Sequence, residues 1–477
     1  MTGLSGALRA RYLKKPQSDA LEALFDVRTR VSSRNQSLED YYEGDVMVKD
    51  IGVDVLPPEA DVHVSLSCNW PEKAVDALAN RSRFDSFVFE EGEADPVLAR
   101  IAADNHLAAD YRRHVLGQLK RGCMFATVGK LGEGVSVRFH GADSAAGIWD
   151  ELHGRLACGF VVADMARTAY SKRLPVPVQL NLHMPGSVTV IRRSYENPND
   201  WTADTQPQPN DRPLMEAFRF RPTDSKPMGS TRITKAVRDL TDDVLRVRLA
   251  LAVSTAFYAV PQKYLLGLTD QQFDKLVGSK WSTYINSVFM TTRDGDTGES
   301  PQIGQLQANS PQALIDLIRS DAAMFAGATG VPLNSLGIVQ DNPSSAEAIE
   351  AARADLIDVA ADLNDGNADS LRSVALMAMA VAGNRRIVDL DEAQFGVMAR
   401  FKDPRMASMS AGADAACKIA AVDAGFADTD VFYEMQGFDA ATIARIQAQK
   451  RRASARSFLS LSASKAVSDE GDEPGAE

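Results

Sequence analysis

The chain has 477 residues, 45% apolar and 24% charged, a globular composition with room for about two to four domains and no run near the roughly 18 apolar residues of a membrane span. With 52 Lys and Arg against 64 Asp and Glu, the formal net charge is -12, the wrong sign for a module that grips phosphates tightly. Cys68, Cys123, Cys158 and Cys417 stand far apart without a C-x-x-C pair, which disfavours a zinc knuckle or disulfide framework and predicts small buried hydrophobes.

Met1 to Ala10 contains no apolar signal core, which predicts a cytoplasmic protein. From about Asp19 to Val31, the residues Leu21, Leu24, Phe25 and Val31 recur at helical spacing, and Leu38-Glu-Asp-Tyr-Tyr-Glu-Gly-Asp45 reads as a break. Asn69 is placed to cap a helix reaching Asn80, with Pro71 in the first turn and Glu72 at capping-box spacing. Another helix follows Asp95-Pro96 and runs through Leu98 and Ile101 toward Leu119. Cys123 to Val128 and Val135 to Phe139 read as strands joined by a longer glycine-rich loop, and Ser187 to Arg193 as a third strand. The Pro-, Asn- and Asp-rich stretch from Asn197 to Pro213 reads as an exposed connection. The first half is therefore mixed α and β.

The character changes after Gly229. Ile233, Val237, Leu240, Val244, Val247, Leu251, Ser254 and Tyr258 alternate spacings of four and three, a helical seam from Ser230 to Ala259 that would be about 45 Å long. Pro261 stops it. A strand-containing insert follows, from Trp281 to Thr292, a polar turn from Arg293 to Gly298, then Gln302 to Leu306. Ser310-Pro311 opens a return helix with Leu314, Leu317, Ile318 and Phe325 on one side, ending near Gly330.

A nearly uncharged loop, Gly337 to Ser344, then enters a helix from Ser345 to about Ala382. Pro343 stiffens its approach, and Ser344 with Glu347 has capping-box spacing. Glu347, Glu350, Asp355, Asp358, Asp362 and Asp365 face only Arg353 in positive charge, so one face is negative. Asn364-Asp-Gly-Asn367 is a weak point. Gln394 to Phe401 reads as a strand, Ser408 to Arg456 as an alanine-rich helical region, and residues 461–477 as a disordered tail.

The sequence names no catalytic, cofactor or metal site. The single Gly-Lys pair, Gly129-Lys130, is followed by Leu131, so there is no phosphate-binding P-loop. His63, His106, His114, His140, His153 and His183 have no ligand spacing, and no G-x-S-x-G elbow occurs.

Six segments in order resemble the portal protein family of tailed bacteriophages, in the branch found in phages of actinobacteria. They are Leu38-Glu-Asp-Tyr-Tyr-Glu-Gly44, Trp70 to Arg81 around Val75-Asp-Ala-Leu-Ala79, Met228-Gly-Ser-Thr-Arg-Ile233, Pro261-Gln-Lys-Tyr-Leu-Leu-Gly267, Gly330 to Ile349 ending in Ser345-Ala-Glu-Ala-Ile349, and Phe401-Lys-Asp-Pro404 with Ala413-Asp-Ala-Ala-Cys-Lys418. Phe401 stands where the family carries Trp, Ser230 lies in a segment usually read G-R-S, and no basic stripe is expected on any helix.

The resemblance implies an α+β portal fold. Residues 1–227 would form a mixed α/β wing, 228–260 a stem helix, 261–309 a small β-containing clip, and 310–330 the return stem helix. Residues 331–344 would be a tunnel loop, 345–403 the tunnel helix and wing closure, and 404–460 a helical crown. It implies a ring of twelve subunits at one vertex of the viral head, in the virion after assembly in the host cytoplasm, through which double-stranded DNA is packed and ejected. The terminase packaging motor, a head–tail adaptor and the major capsid or scaffold protein would be partners, with no membrane and no enzymatic activity. Ile338, Val339, Gln340, Asp341, Asn342, Pro343 and Ser344 would meet the DNA lightly, and Glu347, Glu350, Asp355 and Asp358 would form a repelling wall. Val237, Val244 and Leu251 would serve the stem as oligomer contact or supporting core. The packaging ATPase is disfavoured by the missing P-loop; a cytoplasmic helical adaptor unrelated to DNA packaging is the competing reading.

Overall fold

A computed structural model of the protein describes residues 4–46, 66–89, 95–132, 134–166, 176–194, 197, 199–259, 263–268, 288–292, 302–305, 310–338, 353–405, 409–438 and 440–469. The chain divides into two compact units, Met1–Pro404 and Arg405–Glu477.

In the first unit, α1 (Lys15–Glu43) carries Pro16 in its first turn, buries Leu21, Leu24 and Leu38, and stops at Gly44, whose φ of 76° is left-handed. It continues through Glu43, so the break expected from Leu38 to Asp45 comes only at that segment's end, at Gly44. Leu38 is in the core there, and the hydroxyls of Tyr41 and Tyr42 bond Asp242 and Asp76 at 2.9 and 3.0 Å. In α2 (Trp70–Ala79), Pro71 sits in the first turn as expected, but Asn69 makes no side-chain cap; burial of Trp70, Ala74, Val75 and Leu78 holds this helix instead. The single helix expected after Pro96 is two, α3 (Pro96–Asp104) and α4 (Leu107–Arg121), divided at His106 with φ 50°. Asp95 caps α3 through the amides of Val97 and Leu98, while the Asn105 side chain leaves the helical path to bond the backbone of Val135 and Val137 at 2.8 and 3.0 Å.

Strands β1 (Phe84–Val88), β2 (Cys123–Leu131) and β3 (Gly134–Gly141) follow the apolar runs. The β2–β3 ladder extends to Leu131↔Gly134, so the hairpin ends tightly rather than in a longer loop. Next come β4 (Ala145–Asp150), β5 (Arg155–Ala166), β6 (Val176–Met184), β7 (Ser187–Arg193) and β8 (Trp201–Pro207), an antiparallel meander in that order. The β8 strand lies inside the stretch expected to be an exposed connection. Trp201 and Ala203 are buried between exposed neighbours, a period of two that overrides the polar composition. β9 (Met215–Arg219) returns to β2, giving the order β3-β2-β9.

The second half of this unit is helical. α5 (Lys235–Ala259) packs along α6 (Gln312–Thr329), and between them lies a three-stranded sheet, β11 (Val288–Thr292), β10 (Lys263–Leu268), β12 (Gln302–Gln305), with β10 parallel to β11 and antiparallel to β12. Trp281 and the turn from Arg293 to Gly298 lie outside the described residues. Ala322 and Phe325 turn the inner face of α6 to the core, whereas Leu317, expected on that side, is 46% exposed. α7 (Ala354–Ala382) crosses the core, a helical turn (Glu392–Phe395) follows, and β13 (Met398–Phe401) pairs antiparallel with β1. The strand expected from Gln394 begins later because Asp391 and Gln394 form a reciprocal capping box.

One large core joins α2, α4, α5, α6 and α7 to β1 and the β3-β2-β9 sheet. A second seals the five-stranded sheet under α1, around Leu21, Leu24, Phe160 and Trp201.

The second unit comprises α8 (Met409–Val422), α9 (Asp430–Met435) and α10 (Ala440–Asp469). Phe426, Phe432, Tyr433 and Phe438 meet in edge-on and tilted ring contacts around the buried Tyr433. The backbone of α10 continues to Asp469, so helix replaces the first part of the expected disordered tail; residues 470–477 lie outside the described residues. Cys68, Cys123 and Cys158 are buried as expected, but Cys417 is exposed on α8. Contrary to the expectation of no basic stripe, α10 carries one.

Candidate conduit-lining site

The acidic helix α7 has two unlike sides. Leu356, Ala360, Leu363, Asn367, Leu371, Val374 and Ala378 are buried. Asp355, Asp358, Asp362, Asp365 and Asp369 are exposed, spaced alternately by three and four residues, so they form a single stripe about 21 Å long. None of the five forms an ion pair among the described residues. Asp355 and Asp358 lie on a water-facing negative edge, and Asp369 extends that edge one turn further. Glu347, Glu350, Val339, Gln340, Asp341, Asn342, Pro343 and Ser344 lie outside the described residues.

Asn364 to Asn367 is no weak point: the helix is unbroken there and both asparagines are buried. Asn367 is 0% exposed, with its amide nitrogen donating to Tyr111 Oη at 2.6 Å and to Gln118 Oε1 at 3.0 Å, while its oxygen accepts from Gln118 Nε2 at 2.8 Å. Tyr111 Oη in turn lies 2.7 Å from Ser82 Oγ. This closed network pins α7 to α4 at one rotation, so the aspartates cannot roll inward. A buried polar residue in an acidic helix looks from sequence like a flaw, and only the partners from α4 reveal it as an anchor.

The approach to α7 is fixed as well. Gly330 ends α6 with φ 68°, and a Cβ there would lie 3.3 Å from the Leu356 amide nitrogen, so the two helices meet backbone to backbone. A 3-10 turn (Leu333–Leu336) buries Leu336, Gly337 turns left-handed at φ 84°, and Ile338 packs on the main core. Leu356 joins the same core. Ile338 and Leu356, on either side of residues 339–352, are therefore both held in the main core.

The long helix α5 is tied to this point from its other side. The Arg232 amide donates to the Leu119 carbonyl at 2.7 Å, and its buried guanidinium donates to the Thr329 carbonyl. Burial pulls that guanidinium down to about 10, with Arg221 adding repulsion. Gly229, at φ 89°, passes so close to the Gly122 and Phe220 carbonyls that no side chain fits. Val237 and Val244 are 1% and 2% exposed within the chain's own core, and Leu251 is half-buried further along α5.

No family model matches the chain. It is 23% identical over 344 residues to the portal protein of Mycobacterium phage D29, covering 68% of this chain and 67% of that protein. To the portal protein of Mycobacterium phage L5 it is 23% identical over 332 residues, covering 66% and 65%. The chain thus spans about two thirds of the length of these relatives. Among solved structures, the neck of an empty gene transfer agent particle is 15% identical with a TM-score of 0.40, covering 78% of this chain and 90% of that one. Both of these relatives are portal proteins of Mycobacterium phages, so the sequence similarity of this chain points toward the portal proteins of actinobacteriophages.

Proposed function

We propose that the chain is the portal subunit of a tailed phage, a structural component without catalytic activity. Twelve copies form a ring at one vertex of the head, assembled in the host cytoplasm and retained in the virion. Double-stranded DNA passes through the ring, which docks the terminase packaging motor and later the head–tail adaptor, and contacts the major capsid or scaffold protein. The observation that carries this reading is the unpaired aspartate stripe of α7, beside a segment flanked by the core residues Ile338 and Leu356. A conduit must keep a polyanion centred without gripping it. Fixed carboxylates facing water repel phosphates, and the nearly uncharged loop from Ile338 to Ser344 would touch the DNA without holding it.

In this reading α5 and α6 form the stem, the small β10–β12 sheet the clip, and the second unit the crown. Electron microscopy of the purified chain viewed down its symmetry axis tests the proposal. Rings with a central channel lined by α7 are expected. A small, channel-free particle would favour the helical adaptor and sink the portal reading.

A further inference from the structure

Helix α10 also has two unlike sides. Ile443 is 4% exposed, Gln447 bonds the Asp430 carboxylate at 3.1 Å, and Lys450 pairs with Asp428 at 3.0 Å and lies over the Tyr433 ring. These residues fasten one side of the helix to its own unit. At about 100° per residue, Arg445, Arg452 and Arg456 fall within about 40° of one another and diametrically opposite that anchored side. All three are exposed and form no ion pair among the described residues. They span about 16 Å along the helix. From Ala440 to Arg456 the sequence has no Asp or Glu, so this is a basic face on a chain whose net charge is -12.

We infer that the Arg445–Arg452–Arg456 face of α10 is a docking surface for the phosphate backbone of double-stranded DNA. Three features select this partner. The guanidinium fork matches phosphate oxygens bidentately. The charges lie in a line on a rigid helix, suited to a linear polyanion. Gln449 and Ala448 stand between the arginines, without the aromatic or large apolar anchor that a folded protein partner uses as its hot spot. Contacts of this kind are independent of base sequence. Their charge is opposite in sign to the repelling stripe of α7, so one chain carries a surface that holds DNA and another that lets it slide.

The test measures binding of the full chain to a blunt random-sequence DNA duplex as salt is raised, comparing the wild type with R445Q/R452Q/R456Q. Each phosphate contact steepens the log–log salt slope by about 0.9. The triple variant should therefore have a slope shallower by about 2 to 3, losing the roughly 40-fold fall in affinity that three contacts produce between about 50 and 200 mM salt. R9Q/R30Q/R138Q makes the same change in net charge at exposed arginines elsewhere and should bind as the wild type does. Circular dichroism of both variants should match the wild type, because no substituted side chain is buried. An undiminished slope in the stripe variant, an equal loss in the control, or a wild type that does not bind the duplex overturns the inference; so does loss of an acidic protein partner with DNA binding intact. Binding is read on whatever species the chain forms. Failure of ring assembly with stripe-dependent DNA binding would refute the portal reading alone.

Discussion

Replacing Asn367 by Leu removes the amide that closes the α7–α4 network while keeping the branched four-atom side-chain skeleton. Gln118 is 0% exposed, and its Oε1 and Nε2 both bond Asn367; Tyr111 Oη retains Ser82. Two polar atoms of Gln118 would then be buried without partners, at about 1–3 kcal/mol each, so N367L should cost about 2–6 kcal/mol. The double variant N367L/Q118L removes both halves of the pair and replaces them with apolar groups of similar shape. It should be more stable than N367L, because no orphaned amide remains. The assay is the urea midpoint and slope of wild type, both singles and the double. A cost below about 1 kcal/mol for N367L, or a double no better than the sum of the singles, would refute the idea that this network fixes α7.

Four further outcomes are expected. Val244→Asp buries an uncompensated carboxylate in the chain's own core and should cost about 3–5 kcal/mol, abolishing both the folded protomer and any ring; a full-sized ring on size-exclusion chromatography would overturn the stem assignment. Gly330→Ala imposes left-handed backbone on a residue with a Cβ and crowds the Leu356 amide, lowering stability by at least about 1–2 kcal/mol; an unchanged thermal midpoint would refute the close approach. Among the described residues both ring nitrogens of His183 are buried without partners, and burial depresses it to about 3 and His140 to about 4. The unfolded chain alone binds these protons between those values and about 6.5, so stability should fall as pH drops through that window, and less steeply in His183→Leu; equal pH profiles would remove His183 as a cause. Deleting Val339 to Asn342 should preserve folding while lowering the DNA retained in heads, and full-length genomes at normal yield would make the loop a mere connector.

Much of the fold was legible in periodicity. The strand from Ser187 to Arg193, the helix after Trp70 and the long helix ending at Ala259 follow directly from apolar spacing and turn residues. Several of the failures share a cause, a partner distant in sequence. Tyr41 and Tyr42 extend α1 because Asp242 and Asp76 receive them. Trp201 makes a strand of a polar stretch because the second core receives its ring. For the candidate site, charge spacing alone gave the aspartate stripe. The Asn367 pin was invisible because asparagine and glycine lower helix propensity locally, and tertiary hydrogen bonds override it. The arginine face escaped notice because its members stand seven and four residues apart, and only the anchored side of α10 defines which direction faces out.

The pairing of β1 with β13 has a consequence for the order of events in synthesis. Phe84 faces Phe401 across this ladder, Tyr111 packs its ring against Phe401, and Arg400 binds Asp85 at 2.6 Å across 315 residues of chain. A ribosome that has finished β1 needs roughly 15–60 s more to deliver β13 at typical elongation rates. Until then the edge of β1 has no neighbour, and the aromatic cluster around Tyr111 lacks its last ring. The first unit therefore completes itself only when nearly the whole polypeptide exists.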